Sequence, residues 1–502
     1  MDALMLAFAA AVAWLPGVAA LLALRRASPL APGEGAWTAG VGFLVGAFAL
    51  TVWMRILSRA GVPFGVAVIA LPLLAAGAVA LALAWRRDRF DPRSWAPRFS
   101  RALLASDLTG GARILWIALL AWLAARFALL AMEVLSRPLY PWDAWTQWAT
   151  KARVWYELGT MVPFARVADW YDAGGRVYFD ASPEYPPTMP LLQVWNCLAL
   201  GRWDDVLMNA PWVQMAVALA LAAYGGLRLL GTTAVTAMVG AFLVASLPLA
   251  NVHVALAGYS DLPLAAYYAA AALALLRWSR ERGARNAAVV IVLAIACTQI
   301  KNPGWFWAAT LVPGALVVLV PRHGLRLSLV GFAIVAFALA ALARLKLTVF
   351  NYRLDLNFDP PWRDLFQSYF LLGNWNLLWF GVAGAVLLAR RELLAKALVP
   401  LTTVVIGGIL FLFFVFGFTN ASEFIADQTT VNRATLHLAP LMVCFMTLAF
   451  DAFSRRAGTG EAPAPAPTEP AADDPAVVEA QTADAQGSAS PASPSSPAPG
   501  AA

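Results

Sequence analysis

The feature that most constrains this chain is a succession of apolar runs, each about as long as the roughly 20 residues a helix needs to cross a bilayer. They lie near residues 3–24, 37–57, 62–85, 112–135, 212–230, 234–254, 262–278, 286–300, 303–320, 326–348, 374–389, 397–418 and 434–453, about thirteen in all. In lipid every backbone polar group must be satisfied internally, so such a chain folds as a helical bundle. The expected class is all-α, a polytopic transmembrane bundle with a long external loop of amphipathic surface helices. Composition agrees: 61% of the residues are hydrophobic and 13% are charged, against roughly 25% charged in soluble domains. Little chain is left for a separate soluble enzyme domain, so function is expected in loops and at helix ends.

The net charge is +7, and the six carboxylates of residues 457–502 leave residues 1–456 at +13. Nucleic acid is not the expected partner, because the basic residues sort by loop. Arg25 and Arg26, the series Arg86, Arg87, Arg89, Arg93, Arg98 and Arg101, then Arg277 to Arg285, Arg322 and Arg326, Arg390 to Lys396, and Arg455 and Arg456 occupy alternate connections. Cytoplasmic loops collect Lys and Arg, which puts the N-terminus outside and the C-terminus inside. Three regions follow: 1–111, three spans and a basic cytoplasmic loop; 112–453, the main transmembrane region with the external segment 136–211; and 454–502, an Ala/Pro/Ser-rich cytoplasmic tail too poor in apolar bulk to fold. No cleavable signal peptide is evident in Met1 to Leu24.

The external segment is dense in tryptophan, carrying seven of the chain's 21 between Ser136 and Asp205. Trp145, Trp148 and Trp155 fall on one side of a helical pattern, and Asp143, Gln147 and Lys151 recur every four residues on another, as in a helix lying on the membrane surface. Met189 to Leu200 is too short to span and reads as a second surface or partly inserted helix. Cys197, Cys297 and Cys444 stand apart without metal spacing, and the chain has only three histidines. Asp204-Asp205 is the one acidic pair that suggests a divalent ion, and solvation is the favoured reading there. No cofactor is expected.

Four external positions combine charge with a helix end. Asp143, in Pro141-Trp142-Asp143-Ala144-Trp145, and Asp261, in Gly258-Tyr259-Ser260-Asp261-Leu262-Pro263, are both placed where a carboxylate caps a helix. The functional alternative for Asp143 is a general base at the membrane surface. Lys301, in Thr298-Gln299-Ile300-Lys301-Asn302-Pro303-Gly304, either snorkels or binds a lipid phosphate. Arg433 is a second candidate cation, with His437 one turn deeper on the same face. Glu184 and Tyr185 precede the stiff pair Pro186-Pro187, and Arg126 and Glu133 share the fourth span at a separation of seven. Arg126 and Glu133 read as a structural or substrate-lining pair.

Taken in order, Trp142-Asp143-Ala144-Trp145 with Lys151, Tyr185-Pro186-Pro187 through Gly201, Gly258 to Pro263, and Lys301 to Gly304 resemble the GT-C superfamily of membrane glycosyltransferases. The similarity is to the bacterial members related to aminoarabinose transferases and protein O-mannosyltransferases, and covers residues 112–320. The chain departs from those enzymes where Asp143 is followed by Ala144 rather than a second acid, and where two residues separate Thr298 from Lys301.

The resemblance implies an inverting glycosyltransferase of the bacterial cytoplasmic membrane, part of cell-envelope chemistry. Its donor would be a polyprenyl-phosphate-linked sugar and its acceptor, unspecified, a lipid, glycan or protein. It makes Asp143 the base and assigns substrate binding to Asp261, Lys151, Glu184, Tyr185, Lys301, Arg433 and His437. The other readings are a transporter or flippase for a lipid-linked sugar, which would place ionisable groups near mid-membrane, and an O-antigen polymerase or ligase.

Overall fold

The computed structural model describes residues 1–25, 30–91, 108–175, 177–345, 348–349, 352–353 and 360–459. The tail from 460 on, Arg26 and the basic residues Arg93, Arg98 and Arg101 lie outside the described residues. Residues Met1–Phe453 form one compact unit. It is built from α1 (Asp2–Ala23), α2 (Glu34–Arg59), α3 (Val66–Arg86), α4 (Gly110–Ser136), α5 (Thr150–Leu158), α6 (Thr188–Leu200), α7 (Ala210–Leu229), α8 (Ala234–Ala245), α9 (Pro248–Ala255), α10 (Asp261–Arg280), α11 (Ala284–Thr298), α12 (Gly304–Leu319), α13 (Gly324–Arg344), α14 (Leu378–Leu388), α15 (Val399–Phe418), α16 (Thr430–Leu436) and α17 (Ala439–Thr459). Strand pairing among the described residues is confined to two short ladders, Phe164–Ala165 with Tyr178–Phe179 and Thr348–Val349 with Tyr352–Arg353.

Each apolar run falls on a helix, and seven helices are long and apolar enough to cross a membrane by themselves. Two further spans are broken: α8 and α9 meet at 57°, and α16 and α17 at 49°. The cause is local. Pro248 and Pro440 have no amide proton to give, and their rings displace the carbonyls of Val244 and Leu436, so the preceding helices stop at Ala245 and Leu436. The count by length and hydropathy is therefore seven to nine, with α11, α12 and α14 shorter apolar helices.

At the centre stands α10, buried at every residue from Asp261 to Arg277. Its alanine-rich surface lets α7, α11, α12 and α15 approach closely. Tyr267 and Tyr268 have partners for their hydroxyls, the Leu44 carbonyl at 2.6 Å and Thr310 at 2.6 Å. By contrast α3, α4 and α13 bury little of their surface and present apolar side chains outward, as lipid-facing helices do.

The two ends of the bundle are chemically distinct. At one, Arg25 pairs with Glu34 (2.9 Å) and donates to the Arg89 carbonyl, while Arg285 reaches the Leu24 carbonyl and Arg280 the Leu230 carbonyl. Arg25, Arg89, Arg280 and Arg285, from three of the arginine-rich connections, thus share this end. At the other end Ser58 bonds Thr160, Phe64 N–H donates to the Gly159 carbonyl, Asp2 pairs with Arg202, and Trp212 donates to the Tyr259 carbonyl. Residues 136–211 and the loop before Asp261 share that second end.

The segment 136–211 departs from a simple surface location. Eleven of the thirteen residues of α6 are buried, packed against α1, α2 and α5. On α5 and the π-helical turn before it, Lys151 and Trp148 are buried, while Trp145 and Trp142 are exposed. The π-turn Ala144–Ala149 widens the helix and rotates the face that regular 3.6-residue spacing would give. Arg126 and Glu133 do not pair with each other: Arg126 donates to Asn251 at 2.9 Å, and Glu133 pairs with Arg137.

Glycines bring α1 and α2 into contact. A Cβ on Gly46 would lie 2.0 Å from the Ala13 carbonyl oxygen, and one on Gly17 would lie 2.0 Å from that of Gly42. Substituting Gly46→Leu is expected to cost at least about 1–3 kcal/mol through overpacking, read as a lowered thermal midpoint in detergent. Gly331→Leu, where nothing lies within 4 Å, should leave that midpoint unchanged.

Candidate functional site

Asp143 and Asp261 both occupy helix-start positions, yet neither caps. No side-chain cap bond is made at the π-turn after Asp143 or at the start of α10. The carboxylates turn instead toward cations. Arg433 NH1 donates to Asp143 Oδ2 at 2.7 Å, and Arg433 Nε donates to Asp261 Oδ2 at 3.1 Å. Lys301 Nζ donates to Asp261 Oδ1 at 2.6 Å, and His437 Nε2 reaches the same oxygen at 2.9 Å. Five of the candidate residues therefore meet in one hydrogen-bonded cluster, although they lie up to 294 positions apart between Asp143 and His437.

Local structure explains the convergence. Gly258 has φ of +111° and its missing Cβ would sit 2.3 Å from that of Ala144, so the turn ahead of Asp261 lies directly against the turn that follows Asp143. Gly304 plays a similar part: a Cβ there would meet the Cys297 carbonyl oxygen, and its absence lets the α11–α12 turn close tightly and aim Lys301 inward. Lys301 is only 8% exposed, so it does not snorkel. Arg433 and His437 come from the broken span, whose interruption places α16 beside the start of α10.

The proton positions around His437 follow from donor chemistry. Trp307 Nε1 bonds His437 Nδ1 at 3.0 Å, and an indole nitrogen can only donate. Nδ1 therefore accepts, and Nε2 carries the proton given to Asp261, which makes the imidazole neutral with both nitrogens occupied. Asp261, fully buried, accepts three such bonds. Asp143 is part-exposed and its Oδ1 takes no hydrogen bond among the described residues. Charges match: two carboxylates face one ammonium and one guanidinium.

Three residues of the cluster's wall were not singled out by sequence. The Tyr259 ring lies 4.6 Å under the Arg433 guanidinium, a cation–π contact. His253 Nδ1 lies 3.8 Å from Asp261 Oδ2 and has no hydrogen-bond partner among the described residues. Trp307 is the third. Tyr259 sits inside the motif already noted, and two of only three histidines belong to the cluster, so scarcity of histidine was the available signal for His253.

Lys151, Glu184 and Tyr185 do not join the cluster. Lys151 forms a separate buried pair with Asp180 at 2.9 Å and also donates to the Gln147 and Ser182 carbonyls. Burial pushes the Lys151 ammonium down and the Asp180 carboxyl up from their usual ranges, each partner's charge opposing the shift. Glu184 faces Arg166 at 3.5 Å, and Tyr185 stacks on Trp148 at 5.1 Å. The Lys151 and Tyr185 contacts fasten the segment after α5 onto α5 and the π-turn that follows Asp143. Asp204 bonds Arg202 and accepts the Val206 and Leu207 N–H groups, and among the described residues no group of three or more His, Cys, Asp or Glu is arranged to hold a metal.

Comparison of the chain with protein-family models, with curated proteins and with solved structures finds no match.

Two measurements check this geometry. Removing one partner of the buried pair, Lys151→Met or Asp180→Asn, should cost about 3–5 kcal/mol, and the double variant Lys151→Met/Asp180→Leu should lose less than either alone; thermal unfolding of the three variants decides. Nitrogen-15 spectra of the imidazoles should show His437 as the neutral tautomer protonated at Nε2, and should lose that signature in Trp307→Phe.

Proposed function

We propose that this chain is an inverting glycosyltransferase that moves a sugar from a polyprenyl-phosphate donor to an acceptor at the outer face of a bacterial cytoplasmic membrane. One observation carries the reading: Asp143, Asp261, Lys301, Arg433 and His437, chosen from motifs and sidedness, belong to a single cluster at one end of the bundle. A transporter would be expected to string such groups through the bilayer, whereas these are gathered at helix starts and span breaks beside the tryptophan-rich segment.

In this reading Asp143 Oδ1 accepts the proton of an acceptor hydroxyl or amine as its oxygen or nitrogen bonds to the anomeric carbon. The carbon–oxygen bond to phosphate breaks on the opposite face, and polyprenyl phosphate leaves with the electron pair. Arg433 and Lys301 stabilise that developing charge, worth more where water is scarce. A phosphate oxygen that takes Arg433 NH1 displaces Asp143 from it, and a carboxylate freed from a guanidinium is a stronger base. Base activation is thereby coupled to donor binding, which limits wasteful hydrolysis. Asp261, with its bonds already filled by Lys301, Arg433 and His437, is a positioning residue for the two cations, and His437 is locked by Trp307 into supporting it. Lys151, Glu184 and Tyr185 act at one remove, by holding the loop that would cover the sugar.

The test uses purified full-length protein in liposomes with a panel of polyprenyl-phosphate sugars, following release of polyprenyl phosphate. Asp143→Asn should lower transfer by about 100-fold or more while donor affinity is kept or rises, since the phosphate no longer displaces a carboxylate from Arg433, and the product of the native protein should have the opposite anomeric configuration to the donor. Full activity of Asp143→Asn removes it as the base; retained configuration removes the single displacement.

A further inference from the structure

The cluster around Asp261 is balanced in charge, but a nearby cation is not. Arg55, near the end of α2, donates through NH1 to Gln299 Oε1 at 2.7 Å and through NH2 to Thr188 Oγ1 at 2.5 Å. Among the described residues its buried Nε has no hydrogen-bond partner and no carboxylate pairs with it. Both of its partners are neutral. Thr188 also opens α6, a thirteen-residue helix with no side-chain cap, so the guanidinium sits at the positive end of a helix, the wrong end for a cation. A part-buried charge without a counter-charge is costly, and helix end and guanidinium alike favour an anion there.

We propose that Arg55, with the Thr188 hydroxyl, binds a phosphate group. Arg55 presents a fork suited to phosphate oxygens, and Thr188, which accepts from Arg55, keeps its own proton to donate. Ile56, the next residue on α2, is exposed, and an apolar surface there suits a phosphate carrying a hydrocarbon chain. The Thr298-Gln299-Ile300-Lys301 stretch gains a role: Gln299 holds Arg55, and Lys301, two residues on, holds Asp261. Arg55 adds the positive charge that the balanced cluster lacks. Phosphate binding needs no sugar transfer, so this site stands or falls separately from the proposed reaction.

The experiment measures equilibrium binding to the full chain in dodecyl maltoside, a phosphate-free detergent. Probes are farnesyl phosphate, inorganic phosphate, phosphatidylglycerol and, lacking phosphate, farnesol. Arg55→Gln should weaken binding of a phosphate probe by about tenfold or more, with Arg55→Lys in between, and should leave farnesol unaffected. Its thermal midpoint should equal or exceed that of the native protein, since an unpaired charge is removed, whereas a merely structural arginine would lower it. The probe that responds identifies the source: farnesyl phosphate alone a lipid monoester, phosphatidylglycerol a bilayer headgroup, inorganic phosphate the free ion. Equal affinity of Arg55→Gln and native protein for all three phosphate probes overturns the proposal, as does a lowered midpoint with unchanged affinity.

Discussion

The arrangement of this end of the bundle depends on one carboxylate with no access to water. Asp261 is 0% exposed at the start of α10, against which α7, α11, α12, α15 and α16 pack. An ionised carboxylate in such a place carries an effective desolvation penalty of several kcal/mol after relaxation, offset only by good geometry with opposite charge and by hydrogen bonds to both oxygens. Lys301, Arg433 and His437 meet that condition, and they arrive from a tight turn and a broken span. The position of Asp261 therefore fixes the relative placement of the α11–α12 turn, α16 and, through Arg433, the π-turn behind Asp143.

Broken spans make such a site possible at a cost in backbone satisfaction, since each break frees carbonyls to which lipid has no proton to donate. Side chains restore the balance. Asn251 donates to the Ala245 and Leu247 carbonyls at the α8–α9 break while its own oxygen receives Arg126. At the start of α16, ahead of its break, Asn432 anchors the helix: it donates to the Gln428 carbonyl and accepts from Ser368 and Trp375. These asparagines let α9 and α16 present His253, Arg433 and His437 at a helix end rather than along a continuous span. Asn251 and Asn432 thus act on the backbone, and Arg126 holds Asn251 through its side-chain oxygen.

Much of this was legible in the sequence because hydropathy and loop charge are one-dimensional. Helix positions, the shared end of Arg25, Arg89, Arg280 and Arg285, and the common end for Asp143, Asp261, Lys301 and Arg433 all follow from counting along the chain. The missing parts are those that depend on where a side chain points. Lys151 recurs at four-residue spacing with Asp143, yet the π-turn between them rotates it toward Asp180, a partner no periodicity announces. Capping and ion pairing give Asp143 and Asp261 the same sequence signature, and only the position of Arg433 decides between them. Gly258 was visible as part of a motif, but its reason, the Ala144 methyl against it, is a contact across 114 positions. Arg55 went unnoticed because a cation at the end of a span is ordinary until its missing counter-charge is known.

Charge balance also separates two kinds of cation that sequence treats alike. At the opposite end Arg25 is buried and matched by Glu34 in a two-point contact, a closed pair with no demand for a ligand. Lys301 and Arg433 are matched as well, but by carboxylates that face each other across a shared guanidinium, one fully buried and one part-exposed. The part-exposed bond is the weaker link, because solvent screens it and an arriving anion can replace it, while the buried bond to Asp261 holds the guanidinium in place during the exchange. In the proposed reading, this single arginine between an inner, buried carboxylate and an outer, part-exposed one would admit an anion without losing its own position. The asymmetry between the two bonds follows from burial alone.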